Sequence, residues 1–107
     1  MLYLEMEISK NKVQAMVDTG AQTTVMSKNL AEKCGIMRLV DQRFAGMAVG
    51  VGVSKIVGKI HAIDVSINGN FLPLSISVVE TDKLSILFGL DMMKRHNVFQ
   101  IFKSVHN

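Results

Sequence analysis

Tryptophan is absent from this 107-residue sequence, and cysteine and proline occur once each. The single thiol, Cys34, excludes an internal disulfide and any multi-thiolate zinc site, and a buried structural role is its simplest reading. No apolar run reaches the length needed to cross a bilayer, and the N-terminus lacks the charged-then-apolar layout of a secretory leader. The expectation is a soluble intracellular chain with no membrane partner. Charge runs are missing too: twelve Lys and Arg against nine Asp and Glu give a formal +3, but the basic residues are scattered, which argues against nucleic-acid binding. His61 and His106 are lone histidines without metal-ligand spacing and read as partly exposed strand and tail positions.

What the sequence does have is alternation. Leu2, Leu4, Met6 and Ile8 alternate with Tyr3, Glu5 and Glu7, the two-residue period of a half-buried strand. A turn at Ser9-Lys10-Asn11 leads into the same pattern at Val13, Ala15 and Val17, so the first element is a hairpin. Residues 23–26 read as a short strand, and Ser27 is placed to cap a helix through Lys33, with Leu30, Ala31 and Cys34 inward and Gly35 at its end. Residues 56–67 and 71–79 form two long strands around Asn68-Gly69, a two-residue turn in which both positions tolerate positive φ. Pro73 removes a ladder donor and belongs at an edge or a bulge. Residues 84–89 are an apolar strand running into a glycine, residues 91–96 a short helix with Asp91 at its start, and residues 98–102 a terminal strand. Length and pattern together describe one domain, residues 1–107, of the all-β class with one or two short helices. The eight methionines fit as adaptable core or groove lining.

Two stretches carry chemistry. The hairpin's second strand delivers Val17-Asp18-Thr19-Gly20-Ala21, a carboxylate at the tip of a buried strand where the backbone turns sharply. The tripeptide Asp-Thr-Gly alone is weak, arising by chance in about one chain of this length in fifty. Residues 44–53 scatter Gly46, Gly50 and Gly52 among apolar neighbours, which fits either a hairpin tip that closes over something or a bulge-rich turn without function. Ser27 and Ser54 lack the Gly-x-Ser-x-Gly elbow of a serine nucleophile, and Asp64 and Asp91 fit a strand and a helix start better than a second catalytic acid.

In order, Asp18-Thr19-Gly20-Ala21, the glycine-rich segment and Ile86-Leu87-Phe88-Gly89 resemble a retropepsin, the single-domain homodimeric aspartic peptidase. Within that group, Val17 to Gln22, Cys34-Gly35-Ile36-Met37-Arg38-Leu39-Val40-Asp41, Lys55-Ile56-Val57-Gly58 and Leu87-Phe88-Gly89-Leu90-Asp91-Met92-Met93-Lys94-Arg95-His96 resemble the protease domain of the eukaryotic DNA-damage-inducible family of ubiquitin shuttle proteins. The similarity runs from Met1 to about His96.

The resemblance implies a closed, barrel-like acid-protease fold and an aspartic endopeptidase active as a homodimer, since the mechanism needs two carboxylates and the chain offers one such Asp. It assigns Asp18, Thr19 and Gly20 to catalysis, Ala21 and Gln22 to the substrate cleft, and Gly46, Met47, Ala48, Val49, Gly50, Val51 and Gly52 to a flap over an extended peptide. No metal or organic cofactor is implied. The implied substrates are proteins or peptides, above all ubiquitinated ones, in the cytoplasm, with the nucleus as a second compartment. Gln22 and Leu90 stand where viral retropepsins carry a carboxylate and an Arg, which predicts a wider or differently anchored cleft. The rival reading is a non-catalytic dimerisation and protein-binding module on the same fold, and a retroelement polyprotein protease is a third.

Overall fold

Two hairpin turns made of left-handed residues set the frame. The computed structural model describes residues 2–18, 20–48, 54–81 and 86–97, with backbone alone at 2, 47, 48 and 54. Ser9 and Lys10 (φ +49° and +69°) join β1 (Leu2–Ile8) to β2 (Asn11–Val17), whose register runs from Leu2 opposite Val17 to Ile8 opposite Asn11. The turn is therefore two residues long rather than three. Positive φ at both positions matches the right-handed twist of the flanking strands, and Asn11 belongs to the ladder while its side-chain amide donates to the Ser9 carbonyl at 3.0 Å. Asn68 and Gly69 (φ +52° and +82°) do the same between the two long central strands.

The later strands are β3 (Val25–Ser27), β4 (Gly46–Ala48), β5 (Ser54–Ile67), β6 (Asn70–Val79) and β7 (Ile86–Phe88). Along the sheet the order is β1-β2-β7-β3-β6-β5-β4, and β1 also pairs with β5 at Glu7–Ser66 and Ile8–Val65. That extra pairing closes six strands into a barrel and leaves β4 outside it as an arm on β5. Closure is what the resemblance predicts. It removes most open edges, and β4 pairs on one side only among the described residues.

The expected alternation fills the barrel. Leu4, Met6, Ile8 and Ala15 point inward with Met26, Ile36, Ile60, Val65, Ile67, Leu74, Ile76, Val78, Ile86 and Phe88, while Tyr3, Glu5 and Glu7 face solvent. Each fully buried Ile, Leu or Phe contributes about 1.5–3 kcal/mol before the entropy of ordering it. Helix α1 (Lys28–Lys33) closes one end: the Ser27 hydroxyl accepts from Leu30 N at 3.1 Å, Leu30, Ala31 and Cys34 are buried, and Gly35 follows at φ +71°. Helix α2 (Leu90–His96) buries Met92 and Met93, and His96 Nε2 donates to the Pro73 carbonyl at 2.7 Å. Pro73 lies where β6 has one strand neighbour, because β3 reaches only Ser77–Val79.

Two expectations shift. The short third strand begins at Val25 rather than Thr23, because the loop from β2 is held by Thr24 as described below. Between α1 and β4 lie two 3-10 helices, Met37–Leu39 and Gln42–Phe44, in a stretch for which the strand and turn patterns offered no element. Gly89, not Asp91, is the N-cap of α2. The predicted strand at 98–102, the residues Leu84 and Ser85, and His106 lie outside the described residues.

Candidate active site

Parallel pairing of β2 with β7 puts Val17 beside Phe88, so both strands leave the barrel at the same point. Asp18 follows Val17 directly, and its amide donates to the Phe88 carbonyl at 3.1 Å. Asp18 as a residue is half-buried, and its Oδ1 accepts from the Gly20 amide at 2.9 Å. A second contact, Ala21 N to the Asp18 carbonyl at 3.1 Å, closes the turn. A Cβ at Gly20 would stand 3.2 Å from Asp18 Oδ1, close enough that the carboxylate would have to give way by a few tenths of an ångström. Ala21 is buried and Gln22 exposed. Thr19 lies outside the described residues.

The far side of this loop is stitched to the start of α2. Leu90 N donates to the Ala21 carbonyl at 2.9 Å and Asp91 N to the Gln22 carbonyl at 3.1 Å. Thr24, almost fully buried, donates its hydroxyl to Asp91 Oδ1 (2.9 Å) and its amide to Asp91 Oδ2 (3.2 Å), while its Oγ1 accepts from Gly89 N (3.1 Å) and its carbonyl from Ser77 N (3.0 Å). Gly89 sits so close that an added Cβ would lie 2.6 Å from the Thr23 carbonyl group. The sequence reading missed Thr24 and gave Asp91 a capping role; the available signal was a lone hydroxyl residue between a loop and an apolar strand. The effect is a hydrogen-bonded cradle that presents one carboxylate outward, as an acid–base group requires.

The glycine-rich segment is a hairpin: Gly46 pairs with Ile56, Met47 with Lys55 and Ala48 with Ser54. Its tip, with Val49, Gly50, Val51 and Gly52, lies outside the described residues, so the roles assigned to those residues rest on the resemblance. An open concavity of about 520 Å³ lined by Lys28, Asn29, Glu32, Glu80 and Thr81 shares no residue with the Asp18 loop. Among the described residues no group of three His, Cys, Asp or Glu could hold a metal ion, and no helix is long and apolar enough to cross a membrane.

Comparison with known proteins bears on this geometry. The aspartyl protease family model matches residues 1–100. DNA damage-inducible protein 1 of Neurospora crassa is 53% identical over 96 residues, covering 90% of this chain and 22% of that protein. Protein DDI1 homolog 2 of Homo sapiens is 52% identical over 96 residues, covering 90% of this chain and 24% of its own length. The chain thus spans about a quarter of such relatives. Among solved structures, the retroviral protease-like domain of Ddi1 from Leishmania major superposes with a TM-score of 0.82 at 45% identity, covering 91% of this chain and 78% of that one.

Proposed function

The chain belongs to the aspartyl protease family as a retropepsin-like domain of the DNA-damage-inducible type, and on that premise we propose that it is an aspartic endopeptidase working as a homodimer. The observation that carries the proposal is the Asp18 carboxylate at the open end of β2, oriented by the Gly20 amide at 2.9 Å and backed by the Thr24–Asp91 stitch. One chain supplies one such group, and hydrolysis of a peptide by this route needs two flanking one water. In the dimer, Asp18 meets the partner subunit's Asp18 at the two-fold axis. Carboxylates that close hold one proton between them, as in aspartic proteases generally. The ionised carboxylate removes a proton from the water as it attacks the scissile carbonyl, and the protonated one gives its proton to the carbonyl oxygen.

By the same reading Thr19 stiffens the pair across the dimer, Gly20 admits the substrate backbone, and Ala21 and Gln22 line the cleft. The β4–β5 hairpin, from Gly46 to Gly52, lies along an extended peptide by β-augmentation and excludes bulk water when it closes. Protein substrates bearing ubiquitin chains, in the cytoplasm or nucleus, complete the proposal; nucleic acid and membrane are not partners, and neither metal nor organic cofactor takes part.

The test is mass-spectrometric cleavage profiling of the chain on a mixed peptide library and on ubiquitinated proteins across acid to neutral pH, with Asp18→Asn in parallel and sedimentation to give the oligomeric state. Cuts confined to the parent dimer are expected. A folded monomer with no Asp18-dependent cuts on any substrate would replace the enzyme with a binding module.

A further inference from the structure

At the root of the β4 arm the chain is pinned by a cluster outside the catalytic cradle. Asp41 N donates to the Lys59 carbonyl at 2.8 Å and Lys59 N to the Asp41 carbonyl at 3.2 Å, an isolated bridge between the segment entering β4 and the strand leaving it. Beyond this bridge four residues on one side, 42–45, face two on the other, 57 and 58, before pairing resumes at Gly46–Ile56. Such a bulge is where a hairpin arm bends.

Gly58 makes the approach possible, since a Cβ there would stand 2.4 Å from Val40 Cγ1 and 2.6 Å from the Asp41 carbonyl oxygen. Side chains then span the bulge. Asp41 Oδ1 accepts from Arg43 N and Arg43 Nε, both at 3.0 Å, and Oδ2 from Arg43 Nη2 and His61 Nε2, both at 2.8 Å. Phe44 stands edge-on to the His61 ring at 4.9 Å, with Lys59 Nζ 5.8 Å from its own ring centre. The Arg43 and then the His61 hydrogen bonds hold the Asp41 carboxyl well below the usual carboxylate range. Every polar atom of that carboxylate is thus engaged in joining the 42–45 turn to β5.

We propose that Asp41 is a positioning residue for the β4–β5 arm, fixing through Arg43 and His61 the angle at which the root of the arm, Gly46–Ala48 on β5, leaves the barrel to meet a peptide. The assignment rests on the reading of that arm as a substrate flap. It touches no reacting atom, so its signature is in KM rather than kcat.

The experiment measures peptide cleavage by the full 107-residue chain and its Asp41→Ala, His61→Ala, His61→Gln and D41A/H61A variants, with Asp18→Asn as control, alongside amide hydrogen exchange of each. Asp41→Ala and His61→Ala should raise KM about two- to fivefold, the range open to a surface ion-pair cluster, with kcat little changed. His61→Gln, which keeps a donor, should stay near the parent, and the double variant should be no worse than either single. In Asp41→Ala the amides of β4 and its β5 partners should exchange about two- to fivefold faster relative to the β1–β2 hairpin. Unchanged KM, additive effects or unchanged exchange overturn the assignment while Asp18-dependent cleavage stands. Cleavage that survives Asp18→Asn overturns the activity instead, and the exchange result then decides the role of Asp41 alone.

Discussion

The Thr24 hydroxyl lies 2.9 Å from Asp91 Oδ1 across 67 residues of sequence, one of several contacts that join the loop that carries Asp18 to the helix that follows β7. The same oxygen accepts from Gly89 N at 3.1 Å, so Thr24 both gives and receives in a site sealed from water.

Thr24→Val keeps the shape and removes both bonds. Leaving buried polar groups unmatched costs roughly 1–3 kcal/mol, and urea unfolding should show a loss of that order, with Thr24→Ser largely restoring it. A Val variant within experimental error of the parent would mean that the stitch is incidental.

Gly89→Ala forces a methyl group to within 2.6 Å of the Thr23 carbonyl, backbone that cannot rotate away. Destabilisation of about 1–3 kcal/mol is expected, together with reduced cleavage as the Asp18 loop is displaced. Gly46→Ala is the control, because nothing lies within 4 Å of a Cβ there and stability should move by less than about 0.5 kcal/mol. Equal thermal midpoints for the two variants would contradict this packing.

Burial pushes the Cys34 thiol above its ordinary value, with Lys33 opposing weakly. Since the thiolate is the reactive form, iodoacetamide at pH 8 should label the native chain far more slowly than the urea-unfolded chain. Comparable labelling rates would show that the α1 end of the barrel opens readily.

Asp41 gives the pH dependence. A carboxyl whose folded pKa lies below its unfolded value contributes stability that is complete above the unfolded value, near pH 3.9, and lost as pH falls from there through the lowered folded one. The stability difference between the parent and Asp41→Asn should therefore shrink as the pH falls below about 4. Added salt should reduce it, because the Arg43 partner is exposed. A difference that grows as the pH falls below about 4 would have the wrong sign for this carboxylate.

Local signals accounted for most of the barrel. Alternation at 2–8 and 11–17, the Asn68-Gly69 turn and the Ser27 cap each fix short-range geometry, so they are legible without knowing what packs where. The 3-10 helices at Met37–Leu39 and Gln42–Phe44 were not, since 3-10 turns have little periodicity to read and here follow the bridge to Lys59 and the space left by Gly58.

By itself the sequence determined an all-β fold with a carboxylate, Asp18, at a strand end beside a glycine, because strand period and turn chemistry are properties of neighbours along the chain. Only the tertiary structure decided that Thr24 and Asp91 brace that carboxylate's loop and that Asp41 ties the arm to His61. Those partners are 67 and 20 residues apart: the first pair meets because β7 lies between β2 and β3, the second because the chain folds back at the Asp41–Lys59 bridge.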